Sequence, residues 1–343
     1  KDVDYFEANI ETEGPVSISV TQNAKVDVVL GVIVGGEMVA VSDRGGVGVS
    51  EGVPNWFAPE GKLVVVVKRY DRKGKDKADA MGDYPYTLSV RALGGDYEER
   101  AEKEPNETLE DSDVLSFSDR RFGFLGWNGD VDTWRLPVGA GTGDQGKELV
   151  DIFFDGVPGV SPSLLLRRTN DETPVVIRKG GKGVSLSIQG FVPENGVDEY
   201  TVAVEGKRSN FEKQYVVWAV KRSRKPGEET EPNDYREQAT LLSKTTSSFG
   251  TQRGAFGWGD VDYFSFPSPG SYRLSLTPAG NGIAILKVQT EGYEKTVKGK
   301  RGQVAVIENV QVVSAGAGDI SVSGKVYGAA SVDYELGWEL VSE

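Results

Sequence analysis

Residues 259–264 read Gly-Asp-Val-Asp-Tyr-Phe, and this short stretch decides the architecture because it occurs three times. Residues 129–134 read Gly-Asp-Val-Asp-Thr-Trp, and residues 2–6 read Asp-Val-Asp-Tyr-Phe. The first aspartates of the three copies lie 128 and 130 residues apart. Solenoid repeats have periods of about 20 to 50 residues, so a period this long indicates tandem domains.

A second motif precedes two of the three copies. Residues 102–107 (EKEPNE) correspond to residues 229–234 (ETEPND). The first copy begins at its Asp-Val-Asp, so we expect the upstream part of that repeat to be missing from this chain. The sequence therefore predicts three modules, at residues 1–95, 96–225 and 226–343.

Each module closes with two runs of alternating or apolar residues. Successive side chains of a strand point to opposite faces, so alternation buries one face, and β-branched and aromatic residues suit that surface. The runs lie at residues 62–67 and 86–90, 200–204 and 215–220, and 320–323 and 334–338. Convincing helical periodicity with caps is missing from the sequence. We therefore predict an all-β chain of three tandem β-sandwich modules resembling jelly rolls.

Two segments between the modules are predicted to be linkers. Residues 94–100 (GGDYEER) and 221–227 (KRSRKPG) are rich in Gly, Pro or charged residues. A basic, exposed tract such as the second is also an expected site of proteolytic cleavage.

Two tryptophans occupy equivalent places just before the repeated aspartates. Trp127 follows Phe-Leu-Gly in the second module, and Trp258 follows Phe-Gly in the third. Because the position is repeated, we expect both rings to pack in a core or a turn and not to stack on a ligand.

The composition excludes several classes of function. The 343 residues include no Cys and no His, which rules out disulfides, thiolate metal sites and imidazole chemistry. The formal net charge of −13 would repel phosphate backbones and anionic lipid. No stretch approaches the roughly 20 apolar residues that cross a bilayer. We therefore expect no nucleic-acid partner and no membrane insertion, and divalent cations suit the charge.

Taken together, the motifs resemble those of the bacterial pre-peptidase C-terminal domain. The shared pattern is Glu-x-Glu-Pro-Asn-[Asp/Glu], then Gly-Asp-x-Asp followed by aromatic residues, and a closing Tyr-x-[Val/Leu]. That family is a β-sandwich found beside secreted peptidases and in other exported proteins, and it is similar to the collagen-binding domains of clostridial collagenases. The resemblance covers nearly the whole chain in three copies. It implies an extracellular, cell-surface or periplasmic location.

The same resemblance implies calcium as a cofactor, because the two acidic segments bind calcium in the collagenase relatives. The implied ligands in the second module are Glu102, Glu104, Asn106, Glu107, Asp130 and Asp132. Those in the third module are Glu229, Glu231, Asn233, Asp234, Asp260 and Asp262. Tyr215 and Tyr334 match the closing tyrosine, whose place near the site is implied by the resemblance as well.

The chemistry of these residues is compatible with calcium, which takes about six to eight oxygen ligands. Asp260 and Asp262 are two residues apart in a predicted strand and therefore share a face. We expect the third module to match the pattern better, because the second has Glu107 for the usual Asp and Thr133 for the usual aromatic residue. The first module lacks the upstream ligands and is expected to bind poorly.

Two other interpretations of the acidic motifs stay open. The Asn-Asp, Gly-Asp and Asp-x-Asp groups could instead build turns and accept hydrogen bonds from backbone amides. Paired carboxylates could also be the acid and base of a glycosidase, which lie about 5 to 10 Å apart. Their recurrence from module to module favours a structural role over an active site, so we expect no catalysis.

We therefore expect a non-catalytic, exported array that binds an extracellular polymer or protein, or acts as a spacer, to target or display a neighbouring domain. The alternative is a surface-layer, fibre or adhesion component that associates with itself. A carbohydrate-active enzyme is a remote third possibility.

Overall fold

The structure of the chain, a computed structural model, describes residues 3–21, 26–70, 85–139, 148–242 and 248–342. Asp2 of the first repeated motif lies outside the described residues. The described part is all-β, as predicted. It contains no helix of the length and apolarity that crossing a bilayer requires.

The described strands form three groups along the chain, which are called the first, second and third modules below. The strands of the first module are β1 (Val3–Ile10), β2 (Gly14–Val20), β3 (Val28–Val34), β4 (Glu37–Ser42), β5 (Glu51–Ala58), β6 (Gly61–Arg69) and β7 (Leu88–Ala92). Those of the second are β8 (Asp113–Val114), β9 (Arg120–Gly123), β10 (Val131–Pro137), β11 (Glu148–Asp155), β12 (Ser161–Arg168), β13 (Pro174–Lys179), β14 (Leu186–Phe191), β15 (Glu199–Lys207) and β16 (Tyr215–Ser223). Those of the third are β17 (Thr240–Leu241), β18 (Phe249–Gly257), β19 (Asp262–Ser265), β20 (Gly270–Pro278), β21 (Ile283–Thr290), β22 (Tyr293–Lys298), β23 (Ala305–Val312), β24 (Asp319–Lys325) and β25 (Ser331–Ser342).

The three modules share one strand order. The second module has the sheets β13-β12-β15-β10-β8 and β14-β11-β16-β9. The third has the sheets β22-β21-β24-β19-β17 and β23-β20-β25-β18 in the same order. The first has the corresponding sheets β4-β3-β6-β1 and β5-β2-β7. The short strands β8 and β17 pair in parallel with β10 and β19, and the other pairs are antiparallel. Among the described residues, the first module has no counterpart of β8 or β9.

Each module is a sandwich because its two sheets bury a hydrophobic cluster between them. In the second module, Trp134 and Leu164 of one sheet pack with Ile152 and Tyr215 of the other. The first and third modules have clusters of the same kind. Burying one large apolar side chain contributes about 1.5–3 kcal/mol, so these clusters supply most of the favourable energy of folding.

Neighbouring modules are joined by backbone hydrogen bonds at two glutamates. In the second module, Glu104 accepts a hydrogen bond from the backbone N–H of Phe57 at 2.7 Å and donates to the carbonyl of Asn55 at 3.1 Å. In the third module, the N–H of Glu231 donates to the carbonyl of Gly190 at 2.9 Å. The acidic segment of each module is therefore attached to the module before it.

The two equivalent tryptophans lie in different surroundings. Trp127 is 4% exposed and belongs to the core of the first module, where its ring centroid lies 6.3 Å from that of Trp56. Trp258 lies in a turn and is 38% exposed. Core packing is therefore found for Trp127, whereas the ring of Trp258 reaches the surface.

Candidate metal centre

The predicted acidic residues of the second module come together between its two sheets. Glu102 lies in the segment before β8, and its N–H donates to the carbonyl of Phe122 at 2.8 Å, which holds this segment beside β9. Asp130 and Asp132 lie at the start of β10, a strand of the other sheet. The cluster therefore forms where the two sheets of the sandwich face each other.

Two sets of three carboxylates could each hold one cation. Glu102, Glu104 and Asp132 form the inner triad, whereas Glu104, Glu107 and Asp130 form the outer triad. Within each triad, the three candidate ligand atoms lie within 4.8 Å of one another. A calcium–oxygen distance of about 2.3–2.6 Å places two ligands of one ion at most about 5 Å apart. Both triads therefore have the dimensions of a calcium site.

Several buried oxygens of this cluster accept no hydrogen bond from the described part of the protein. They are both carboxylate oxygens of Glu104, both carboxylate oxygens of Asp132, Oδ1 of Asp130 and the amide Oδ1 of Asn106. Glu104 is 0% exposed and Asn106 is 3% exposed. Buried polar atoms are nearly always paired, and calcium prefers carboxylate and amide oxygens. The donor set therefore fits calcium.

The carboxylate oxygens of Glu102, by contrast, accept hydrogen bonds from neighbouring donors. Glu102 Oε1 accepts a hydrogen bond from the N–H of Phe124 at 2.6 Å, and Oε2 accepts one from the hydroxyl of Tyr215 at 3.2 Å. Trp134 Nε1 donates to the oxygen of the same tyrosine at 3.1 Å. Tyr215 thus lies beside the cluster, as the resemblance implies.

The protonation of these carboxyl groups depends on burial. Burial raises the pKa of Glu104 well above its usual range, and the nearby carboxylates of Asp130 and Glu102 raise it further. Burial also raises the pKa of Asp132 to about 7. A divalent cation would replace these protons, because opposite charge favours the ionised form.

The third module repeats the outer triad with Glu231, Asp234 and Asp260, and it holds Glu229 much as the second module holds Glu102. Glu229 Oε1 accepts a hydrogen bond from the N–H of Ala255 at 3.0 Å, and Tyr334 donates its hydroxyl hydrogen to Oε2. Asn233 Nδ2 also donates to Oε2 of Glu229 at 3.3 Å. Burial raises the pKa of Glu229 to about 8. Both oxygens of Asp262 accept no hydrogen bond from the described residues.

Arg178 of β13, a strand of the second module, reaches the cluster of the third. Its Nη1 lies 2.8 Å from Asp234 Oδ2 and its Nη2 lies 2.7 Å from Asp260 Oδ1, and Nη2 also pairs with Glu231. Burial alone would lower the pKa of Arg178, but the carboxylates of Asp260, Glu231 and Asp234 raise it above its ordinary value. The buried side chain is therefore a cation, and the sequence analysis did not predict it.

Raised carboxyl pKa values predict that the metal-free chain loses stability as the pH rises. A carboxyl group whose pKa is about 4 when unfolded and higher when folded keeps its proton longer in the native state. The free energy of unfolding therefore decreases between those two pKa values. With Asp132 at about 7 and Glu229 at about 8, we expect the melting temperature in EDTA to fall from about pH 5 to about pH 8.

Thermal melts at constant ionic strength measure this trend. Saturating calcium should remove or reverse it, because the ion takes the place of the protons. A melting temperature in EDTA that stays constant or rises over this range would contradict the described burial of the carboxyl groups.

Two glycines that were not predicted from the sequence leave space for the glutamate side chains of the clusters. A Cβ atom at Gly123 would lie 2.0 Å from Glu102 Oε2, and one at Gly254 would lie 1.8 Å from Glu229 Oε1. Gly123 lies in β9 and Gly254 in β18. Because neither glycine has a side chain, the glutamate and the tyrosine of each cluster can meet above that strand. A glycine within a strand is typical of a close approach, but the sequence analysis predicted no strand at either glycine.

Gly254→Ala is therefore expected to destabilise the third module by about 1–3 kcal/mol, the usual cost of overpacking. Urea unfolding monitored by near-UV circular dichroism measures the change. Gly14→Ala is the matched control, because a Cβ atom at this strand residue would have no neighbour within 4 Å. Equal effects of the two substitutions would contradict the described contact.

The first module retains part of the arrangement. The hydroxyl of Tyr86 donates a hydrogen bond to Asp4 Oδ2. Asp4 pairs with Val67 in β6, as Asp132 pairs with Val204 in β15. Asp4 is therefore the counterpart of Asp132, and the prediction that this module binds calcium poorly stays a prediction.

Among known proteins, only distant structural likenesses to this chain were found. No protein-family model matches the chain, and no curated protein matches it. A solved pre-peptidase C-terminal domain of collagenase from Bacillus anthracis is similar over 34% of this chain and 98% of its own, with 13% identity and a TM-score of 0.23. The Sulfolobus turreted icosahedral virus structure is similar over 98% of this chain and 82% of its own, with 10% identity and a TM-score of 0.20. The PBSX exported protein XepA is similar over 66% and 82%, with 8% identity and a TM-score of 0.19. Likenesses this weak carry no argument about function.

Proposed function

We propose that this chain is a non-catalytic, exported array of three modules related to the pre-peptidase C-terminal domain, in which calcium stabilises the sandwich. The array targets or displays a neighbouring domain by binding an extracellular polymer or protein, or by acting as a spacer. The common strand order supports a repeated module. The motif resemblance supports the family and an extracellular, cell-surface or periplasmic location.

The observation that carries the calcium assignment is the outer triad of the second module. Its shared residue, Glu104, is 0% exposed and both of its carboxylate oxygens lack a hydrogen-bond donor among the described residues. The backbone of the same residue is hydrogen-bonded to the first module. A cation bound there would stabilise both the second module and its attachment to the first.

Burial of the clusters also supports a role without catalysis. Glu102 and Glu104 are each 0% exposed, and Asp132 is 0% exposed as well. General acids and bases of glycosidases flank a sugar and must reach it. These carboxylates lie inside a sandwich and have no such access, which favours a structural cation site.

Calorimetric titration of the EDTA-stripped chain with calcium chloride tests the calcium part of the proposal. We expect saturable binding heat in the wild type and a loss of bound calcium in Asp130→Asn. Asp171→Asn is the matched control, because the side chain of this aspartate is 37% exposed and its only ion pair among the described residues is the one with Arg168. Absence of any binding heat in the wild type would overturn the assignment and leave the acidic segments as turn-building elements.

A self-assembling role is the second candidate, and exposed aromatic side chains of the first module favour it. Tyr5 and Phe6 of β1 are 67% and 39% exposed. Exposed apolar side chains that lie together can contact another protein chain.

Two measurements distinguish the candidates. A binding array should sediment with insoluble polymers such as cellulose, chitin or fibrillar collagen and stay monomeric in light scattering. A self-assembling component should grow in size with concentration, and Tyr5→Lys should prevent that growth. Turnover of a glycan or peptide substrate by the chain would contradict both.

A further inference from the structure

The outer triads of the second and third modules consist of equivalent residues. Glu104, Glu107 and Asp130 in the second module correspond to Glu231, Asp234 and Asp260 in the third. In each triad, the three candidate ligand atoms lie within 4.8 Å of one another. The two triads therefore offer the same size and charge to a cation, and they differ in what surrounds them.

In the third module, Arg178 forms ion pairs with all three members of the triad. Asp234 lies 2.8 Å from Nη1 and Asp260 lies 2.7 Å from Nη2, and Glu231 pairs with Nη2. The arginine side chain is 0% exposed. A guanidinium group offers five donors in a fixed plane, which suits several carboxylates at once. The negative charge of this triad is thus compensated by a protein group.

At the triad of the second module, the position equivalent to Arg178 lies in the first module and holds a small neutral residue, Ser42. Arg178 pairs with Leu164 across β12 and β13, and Ser42 pairs with Leu30 across β3 and β4 at the same register. The hydroxyl of Ser42 donates to Glu51 Oε2 of its own module at 2.7 Å. Among the described residues, no lysine or arginine forms an ion pair with Glu104, Glu107 or Asp130. The charge of the second triad is therefore compensated by protons or by a cation from solution, and not by a basic side chain of the described residues.

We propose that Arg178 takes the place of a divalent cation in the third module, so that the outer triad of the second module binds calcium and that of the third does not. The inference rests on the calcium site of the proposed function. A calcium ion in the third triad would have to displace the guanidinium, or lie within a few ångströms of its like charge in a medium of low dielectric constant. The preference expected from the sequence, in which the third module is the better site, is thereby reversed.

The arginine also has a consequence for the junction. It belongs to β13, so its ion pairs with Glu231 and Asp260 join the second and third modules. The outer triad of the second module is made of side chains from that module alone. The boundary between the second and third modules thus contains a cation of the protein itself, Arg178. At the boundary between the first and second modules, a calcium ion from solution would take that role.

Equilibrium dialysis of the EDTA-stripped full chain against calcium chloride, with bound calcium measured by mass spectrometry, tests this inference. We expect Asp130→Asn to bind one calcium ion fewer per chain than the wild type and Asp260→Asn to bind the same number. Arg178→Gln should bind one ion more than the wild type, and Arg178→Gln with Asp260→Asn should lose that additional ion. Arg168→Gln, which removes an exposed arginine of β12, is the control and should change nothing.

The outcomes separate the two proposals. A wild type that binds no calcium contradicts the calcium site of the proposed function. A wild type that binds calcium but loses one ion in Asp260→Asn contradicts the role of Arg178 alone. The same conclusion follows if folded Arg178→Gln binds no more calcium than the wild type. If Arg178→Gln does not fold, as judged by circular dichroism, the comparison of Asp130→Asn with Asp260→Asn shows whether calcium binds the outer triad of the second module and not that of the third.

Discussion

In EDTA, Arg178→Gln should lower the free energy of unfolding of the third module by about 3–5 kcal/mol, the usual cost of removing one partner from a buried ion pair. The guanidinium is 0% exposed and compensates Glu231, Asp234 and Asp260. Without it, buried carboxylates face one another and must take up protons. Urea unfolding followed by hydrogen–deuterium exchange of β20 and β25 peptides reports on the third module alone.

Arg168→Gln is the matched control for this substitution. Its guanidinium is 41% exposed and pairs with Glu194 at the surface, where such pairs contribute about 0–1 kcal/mol. Calcium should return part of the stability lost in Arg178→Gln, because the freed triad then resembles that of the second module. An effect of Arg178→Gln no larger than that of the control would contradict the described ion pairs.

Calcium should stabilise the second module of the wild type by about 2.7 kcal/mol at a free concentration of one hundred times its dissociation constant. The reason is that only the folded module brings Glu104, Glu107 and Asp130 within 4.8 Å of one another. Hydrogen–deuterium exchange of β11 and β16 peptides, with calcium chloride or with EDTA, measures the change in this module.

Asp130→Asn should abolish the calcium-dependent stabilisation, since it removes one ligand charge. The variant should also be less sensitive to EDTA than the wild type, because its triad carries less uncompensated charge. Asp171→Asn serves as the control and should respond to calcium as the wild type does. Stabilisation by calcium that survives Asp130→Asn would place the ion elsewhere.

Much of the fold could be predicted because strand patterns are local. The runs at residues 62–67 and 200–204 lie within β6 and β15, although burial does not simply alternate, since all residues from Tyr200 to Val204 are buried. The run at 86–90 predicts a strand two residues too early, since β7 begins at Leu88. Alternation thus locates strands well and their ends less well.

The predicted linker at residues 221–227 is wrong in part, because residues 221–223 belong to β16. Arg222 pairs with the buried Asp151 of β11 at 2.5 Å and with Glu228 at 2.7 Å. A run of basic residues resembles an exposed tract, and the sequence does not show that a carboxylate from another strand compensates it.

In the candidate site, too, the sequence predicted only the contacts between residues that lie close together along the chain. Asp-x-Asp spacing predicts that Asp130 and Asp132 act together, because both belong to one short segment. Arg178 lies 53 residues before Glu231 and belongs to another module, so no local pattern joins them. The repeated motif likewise does not show that Trp127 packs in the core of the preceding module, whereas Trp258 is 38% exposed.

Anomalous diffraction from crystals of the full chain soaked in terbium chloride, with terbium as a substitute for calcium, would locate the bound cations. We expect a terbium peak among Glu104, Glu107 and Asp130, and the Arg178 side chain in its place among Glu231, Asp234 and Asp260. Peaks of equal height at both triads, or no peak at the triad of the second module, would contradict this expectation.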